Sequence, residues 1–563
     1  MGRGSRRRLR PDMTSGLTEH GITLGGQHLD DGDRNRAAVW VFVAVEAAAL
    51  VYYLALSRRE WFFGDEWEFL SGRGLGVHDL LSPHYTHWTA LPIVIYRLMY
   101  WVVGLRSYLP YVALSVGLHL AAAALLRLVM RRAGVAPWIA TAGAAAFVCF
   151  GPGAQDILWA FQIAFSGALV FGLVDLLLTD HLGSIDRRDW LGLAAGGLAL
   201  VCSGVAVTMV IVVGIAAVLR RGWRVALFHT APLGGLYVVW WAGYARGSRS
   251  FRGSSRQVID WTATGVGSVF GALGRVPGVG WLLGVVLLGG LAKLVRASGW
   301  RTLCVQHASP VALLLGVPVF FLIAGLDRGG LGVAFARSSR YLHIGAALVL
   351  PALAVAIDEI LSRSRVCGAV ALAALLVGVP GNLGKAHDYV EGAFVRSQPA
   401  YRQMMLSVAR EPLAREVPAS LRPDPGRAPT VTLGWLRAGV TSGRVPKPRP
   451  STPKEALTNQ LRLSLMELDQ PSGLPCRLVH APVVRTLAVG DRFGLAGFGG
   501  LAGTVLVTLV TSENQPRSDA VSFGNALLNP TSVHTLVAVA GPLTLRIVPA
   551  GRNGAILCTP SES

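Results

Sequence analysis

The sequence predicts a multi-pass α-helical membrane protein of about eleven transmembrane helices, carrying a C-terminal, extracytoplasmic, mainly-β domain. Three observations predict it. Of 563 residues, 52% are hydrophobic and only 15% charged, where soluble proteins carry about a quarter charged. Long uncharged runs are punctuated by short arginine clusters. After Leu383 the pattern changes to Pro- and Gly-punctuated polar segments and short strand-like runs.

Residues 1–36 are polar, with RRRLR and DDGD and no apolar periodicity, and read as a disordered cytoplasmic tail. The first apolar run starts near Ala37, far from the terminus and without a small-residue cleavage site, so it reads as an uncleaved span. Further spans are expected at 108–130, 137–150, 160–179, 190–203, 204–219, 225–245, 279–296, 308–325, 341–361 and 366–383. The run 190–219 is open: one long tilted helix there would reverse all later topology.

Arginine placement orients this set. Arg131-Arg132, Arg187-Arg188, Arg220-Arg221, Arg296 to Arg301 and Arg363 to Arg365 fall on the side of the N-terminal tail, which the positive-inside rule makes cytoplasmic. The protein is therefore expected in the plasma membrane with its N-terminus cytoplasmic. The loops at 58–107, 150–160, 246–278 and 326–340 and everything after the last span then face outward. Two of these outward loops, RGSRSFRGSSR at 246–256 and ARSSRY at 336–341, carry arginine against the rule. The domains read as 37–383 in the membrane, 384–455 as an extracytoplasmic helix and linker, and 456–563 as a β-rich domain, with a β-sandwich the expected outcome.

A net charge of +20 invites a nucleic-acid reading, but the arginines sit at the ends of apolar runs. Topology and anionic lipid headgroups account for them, and no nucleic-acid partner is expected. All but four of the 52 basic residues are arginine. Cys149, Cys202, Cys304 and Cys367 lie in or beside apolar segments and read as small buried hydrophobes. Cys476 and Cys558 bracket the β-rich domain, and a disulfide between them would restrain its unfolded state by about 4 kcal/mol.

The residues fit for chemistry lie in the outward loops. In Trp61-Phe-Phe-Gly-Asp65-Glu66-Trp67-Glu68, adjacent carboxylates sit among aromatics, whose burial raises a carboxylate's pKa towards the range of a working base. An interfacial aromatic belt with solvated acids beside it gives the same pattern. Pro83-His84-Tyr-Thr-His87-Trp88 follows, then an amphipathic stretch at 91–105 suited to the membrane surface. Glu66, His84 and His87 could gather round a divalent metal ion, or the histidines could simply be hydrogen-bonded. Asp156 and Gln162 supply an acid and an amide where the fourth span begins, and read alone as a helix cap and anchor. Arg337, Arg340 and Tyr341 open a late helix, and guanidinium forks suit phosphate.

Together, FFGDEWEFL in a long first loop, PHYTHW with the amphipathic stretch behind it, and an Arg-Tyr pair opening a late helix resemble the GT-C class of polytopic membrane glycosyltransferases over residues 37–383. That resemblance implies a polyprenyl-phosphate-linked sugar as donor, and a glycan, lipid or protein acceptor of the cell envelope. It implies inverting transfer with Asp65 as general base and Glu66 as its partner. Arg337, Arg340 and Tyr341 would hold the donor phosphate, and His84, His87, Trp88, Asp156 and Gln162 would meet substrate. Tyr85-Thr86 stand where relatives carry an acid, so the metal is not required by the motif. The Arg-rich, Ala- and Gly-heavy composition resembles actinobacterial proteins. The competing expectation is a transporter or flippase of a lipid-linked or anionic substrate, which would place ionisable residues along a midplane path.

Overall fold

The computed structural model describes residues 21–248, 250–468, 473–497, 505–511, 514–523, 533–549 and 554–560. Among them, eight helices are long and apolar enough to cross a membrane: Gly32–Arg59, Leu109–Arg132, Ala160–Thr179, Trp223–Ala245, Val279–Gln306, Ala308–Leu331, Ser339–Arg363 and Arg365–Val390. The helix holding the first of these begins at Gly21, so the tail expected at 1–36 is helical over its last part. Residues 1–20 lie outside the described residues.

The other three expected spans take different forms. Pro137–Val148 and Gly151–Leu158 form a pair bent by 42°. The break falls at Phe150-Gly-Pro-Gly153, and the carbonyl of Val148 freed by it accepts from Tyr53 Oη at 2.8 Å and from His119 Nε2 at 3.1 Å. Arg187–Leu200 and Val205–Arg221 have only 14 and 17 residues. They run antiparallel, because Asp189 near the start of one is ion-paired to Arg221 at the end of the other. The chain therefore turns back at 201–204, and the single tilted helix is not formed.

The loop expected at 246–278 is half helix. Ser255–Gly274 is opened by a reciprocal capping box in which Ser254 Oγ accepts from Gln257 N–H and Gln257 Oε1 accepts from Ser254 N–H. Its Trp261 is fully buried. The helix Ser339–Arg363 is buried almost continuously from Tyr341 to Ile357, which is the pattern of a central helix, apolar on every side.

Basic groups collect at one end of the bundle. Arg132 donates to the Leu177 carbonyl, Arg220 pairs with Asp180, and Ala136 N–H reaches Asp358 at 3.3 Å. Loop 60–107 lies at the other end, because Leu109–Arg132, roughly 36 Å long at 1.5 Å per residue, separates the two. Segment 384–464 packs on that loop. Tyr100 stacks on Trp435 at 5.0 Å, Ser71 Oγ meets Thr430 Oγ1 at 2.9 Å, and Leu105 N–H donates to the Arg444 carbonyl at 2.8 Å.

The C-terminal region is a two-layer antiparallel sandwich entered by the helix Pro453–Ser464, so the expected β-rich domain, 456–563, begins as helix. Its strands are β1 (Leu465–Leu468), β2 (Cys476–Val479), β3 (Val483–Leu487), β4 (Arg492–Gly497), β5 (Val505–Leu509), β6 (Val521–Phe523), β7 (His534–Ala538), β8 (Leu543–Pro549) and β9 (Ala555–Cys558). They form sheets ordered β1-β7-β4-β9-β2 and β3-β8-β5-β6. Alternate residues of both sheets, such as Phe493 and Leu495 from one and Val505, Val507 and Leu545 from the other, share a single core. Cys476 and Cys558 face each other across β2 and β9 and are disulfide-bonded. With a sequence separation of 82, reduction should cost the sandwich about 4 kcal/mol on the chain-entropy account. The expected result is a lower melting transition for the Cys476→Ser/Cys558→Ser protein, measured against an unchanged signal from the helical part.

Candidate functional site

Loop 60–73 is built around a buried acid. Trp61, Phe62, Trp67 and Phe69 fill the space beneath it, and Glu66 is wholly enclosed with them. Its carboxylate accepts from Tyr96 Oη at 2.6 Å, Tyr108 Oη at 3.0 Å and Phe63 N–H at 3.0 Å. Burial pushes its pKa up to about 8 against those hydrogen bonds. Glu66 is thus an anchor of the loop, expected to be protonated at neutral pH, and it does not face either histidine.

Asp65 and Glu68 point the other way, to His84. His84 Nδ1 lies 2.8 Å from Glu68 Oε2, and Nε2 lies 3.7 Å from Asp65 Oδ2. Arg73 clamps the arrangement, donating to Glu68 at 2.7 Å and to the carbonyls of Ser82 and Pro83. Burial opposes a charged His84, but the facing carboxylates of Asp65 and Glu68, the second hydrogen-bonded to Nδ1, outweigh it and lift its pKa to about 9. Burial likewise opposes a charged Glu68, yet its bond to His84 and the charges of His84 and Arg73 hold it at about 2. Because the folded His84 binds its proton more tightly than an ordinary histidine, its stabilising effect is complete below about 6.5 and lost as pH rises through about 9. Thermal stability is expected to fall between pH 7 and 10 in the wild type and to fall less in His84→Gln, as followed by melting curves.

His84 and His87 close a tight hairpin, with His84 N–H donating to the His87 carbonyl at 2.9 Å and the reverse bond at 3.0 Å. Tyr85 at its tip has φ 52°, an uncommon state for a bulky residue and a place where strain is stored. The hairpin is tied to the late loop: Thr86 Oγ1 donates to Asp327 Oδ2 at 2.8 Å, and the Arg328 guanidinium sits 5.5 Å over the Tyr85 ring.

On the His87 side of the hairpin opens a cavity of about 590 Å³. Thr86, His87, Asp327, Arg328, Arg246 and Arg252 supply its polar part; Phe165, Val205, Phe320 and Ile323 are among its apolar walls. His87 Nδ1 accepts from Gly204 N–H at 3.3 Å, which leaves the ring proton on Nε2. Position 204 must be glycine for this approach, since a Cβ there would come within 2.7 Å of Nδ1. Burial, then the charges of Arg328, His84 and Arg340, hold His87 well below the usual histidine range, so it is a neutral donor.

The other expected site residues are distributed unevenly. Tyr341 lines the cavity. Arg340 lies over the Tyr341 ring at 5.2 Å and within electrostatic reach of His87 and Asp156. Arg337 is exposed and outside the cavity wall, where Arg246, Arg252 and Arg328 stand instead. Trp88 stacks on Trp240 at 5.2 Å and donates to the Leu80 carbonyl, which makes it a packing residue. Asp156 is buried 3.1 Å from His343 Nδ1, and Gln162 is buried with neither amide atom hydrogen-bonded among the described residues. Glu66, His84 and His87 do not come together as a metal set. The described residues gather metal-type ligands only at His181, Asp186 and Asp189, at the far end of the bundle. There Arg188 and Arg221 already balance the two carboxylates.

Sequence reasoning places Glu68 beside the acidic pair, Arg328 next to Asp327 in the loop at 326–340, and Arg246 and Arg252 in the basic stretch at 246–256, but gives none of the four a site role. The signal for the arginines was present, as basic residues in loops that the positive-inside rule leaves poor in them. Comparison with protein-family models finds no match, and neither does comparison with curated protein sequences.

Proposed function

We propose that this chain is a membrane glycosyltransferase that moves a sugar from a polyprenyl-phosphate donor to a cell-envelope acceptor on the outer face, with inversion. One observation carries the reading: a cavity with guanidinium groups at its rim and apolar walls lies across a four-residue hairpin from an accessible carboxylate. The shape and chemistry suit a lipid phosphate, whose tail needs apolar surface and whose head needs charge-assisted donors. Arg328, with Arg246, Arg252 and the neutral Nε2–H of His87, would hold the phosphate.

Asp65 would take the proton of the acceptor hydroxyl as its oxygen bonds to the anomeric carbon. The bond from that carbon to the phosphate oxygen breaks, and polyprenyl phosphate leaves with the electron pair. Its growing charge is offset by the cavity guanidiniums. The side-chain exposure of 35% at Asp65, against complete enclosure of Glu66, favours Asp65 as the base. The acceptor is a glycan, lipid or protein, and no metal enters the scheme. The positive-inside rule supports a plasma-membrane protein with its arginine-rich end and N-terminus cytoplasmic and its sandwich extracytoplasmic.

The transporter or flippase reading draws less support. Asp175, His229 and Asp189 are ionisable groups inside the bundle, but they pair with one another and with Arg221 at the far end. The test is transfer of radiolabelled sugar from a panel of polyprenyl-phosphate sugars by membranes with and without the protein. Label is expected in a product only when the protein is present. Movement of intact lipid between leaflets without transfer would favour the flippase.

A further inference from the structure

Glu68 is a carboxylate of loop 60–73 that takes no part in the proposed base or in the phosphate cavity. We propose that Glu68 is a positioning residue that acts through His84 to fix the carboxylate of Asp65. This inference rests on the glycosyltransferase reading of the same site.

The geometry supplies an ordered line of groups. Glu68 Oε2 accepts from His84 Nδ1 at 2.8 Å, and the opposite ring nitrogen faces Asp65 Oδ2 at 3.7 Å. Glu68 is itself held from behind, by Arg73 Nε at 2.7 Å and Nη2 at 2.5 Å. Arg73 in turn grips the base of the hairpin through the carbonyls of Ser82 and Pro83. The ring of His84 is boxed by Phe69, Tyr85 and Phe161, at centroid distances of 5.5, 4.7 and 5.3 Å, so it cannot swing away without repacking three aromatics. The charged groups that reach His84 are Asp65 and Glu68 from its own loop, with Arg73 behind Glu68. Arg328 sits over the neighbouring Tyr85, and the neutral His87 is three residues on.

This order has a chemical consequence. A carboxylate with 35% side-chain exposure has two equivalent oxygens and free rotation unless one is engaged. A His84 that keeps protons on both nitrogens draws Oδ2 of Asp65 to itself and leaves Oδ1 as the oxygen that meets an acceptor hydroxyl. Without Glu68, His84 Nδ1 loses its acceptor, Nε2 is no longer obliged to carry a proton, and Asp65 is released. Glu68 is thus to His84 what an orienting carboxylate is to the histidine of a hydrolase, with the histidine serving as a holder and not as the base. The acids on both sides of the His84 ring favour a lasting positive charge against its burial.

Two measurements separate this inference from the transfer reaction itself. The first is the ring N–H spectrum of ¹⁵N-histidine-labelled protein, with His84→Gln assigning the His84 signals. Two ring N–H resonances are expected for His84 at pH 7.5 in the wild type and in Glu68→Asp, and only one in Glu68→Gln. The same two resonances in Glu68→Gln would overturn the proposal, whether or not any sugar transfer is found. The second is kinetics on a donor that the wild type uses. Glu68→Gln is expected to lower kcat at least tenfold with donor KM changed less than threefold, and Glu68→Asp to regain most of kcat. Wild-type kcat in Glu68→Gln, or a loss confined to KM, would equally overturn it. Melting curves within a few degrees of wild type for Glu68→Asp keep the comparison independent of folding.

Discussion

Asp65→Asn is expected to lower sugar transfer by about 10² to 10⁴-fold while the protein still inserts, folds and binds donor. The side chain keeps its shape and can still face His84 Nε2 through its amide oxygen, so little stability should be lost. What disappears is the ability to accept a proton from the attacking hydroxyl. Glu66→Gln makes the informative contrast. Glu66 accepts two tyrosine hydroxyls and a backbone N–H in a closed pocket, and burial favours its neutral carboxyl. Its amide is expected to leave the chemical step nearly intact. Equal loss in both variants would mean that the loop, and not the Asp65 carboxylate, sets the rate.

Arg328→Ala should weaken donor use by about 2–3 kcal/mol, roughly 30- to 150-fold in kcat/KM for donor, with little change for acceptor. Arg328 is the least exposed of the three cavity arginines and is held by Asp327 at 2.9 Å and by the Tyr85 ring. Arg246 and Arg252 are exposed at the rim and should matter less each. Arg337→Ala, on a side chain outside the cavity wall, is expected to leave donor kinetics unchanged. Donor and acceptor titrations on the four variants check this ranking.

Much of the architecture was legible in the chain because helices long and apolar enough to cross a membrane write themselves into composition. The apolar runs, the amphipathic stretch that becomes Ala90–Val102, and the cysteines that bracket the sandwich could all be read directly. The helix Ser255–Gly274 was hidden because its mixed polarity and arginine-rich approach look like loop. Its Ser254–Gln257 capping box was a local signal that composition overrode.

The site was legible in part. Asp65 and the His84–His87 segment stood out as unusual local patterns, and they do lie together. Which acid would be buried could not be read, because Glu66 is enclosed by Tyr96 and Tyr108, which arrive from 30 and 42 residues away. The partner of Thr86 is 241 residues away, and choosing Arg328 over Arg337 depends on that contact. Spacing along a chain carries no information about such meetings.

The most direct measurement is photolabelling of the purified protein in lipid nanodiscs with a diazirine-bearing polyprenyl phosphate. Labelled peptides are expected to contain Val205 to Thr208 and Phe320 to Arg328, and labelling should be displaced by unmodified polyprenyl phosphate and much reduced by Arg328→Ala. Displaceable labelling at other helices, with these two segments untouched, would contradict a shared site for the lipid phosphate and Asp65.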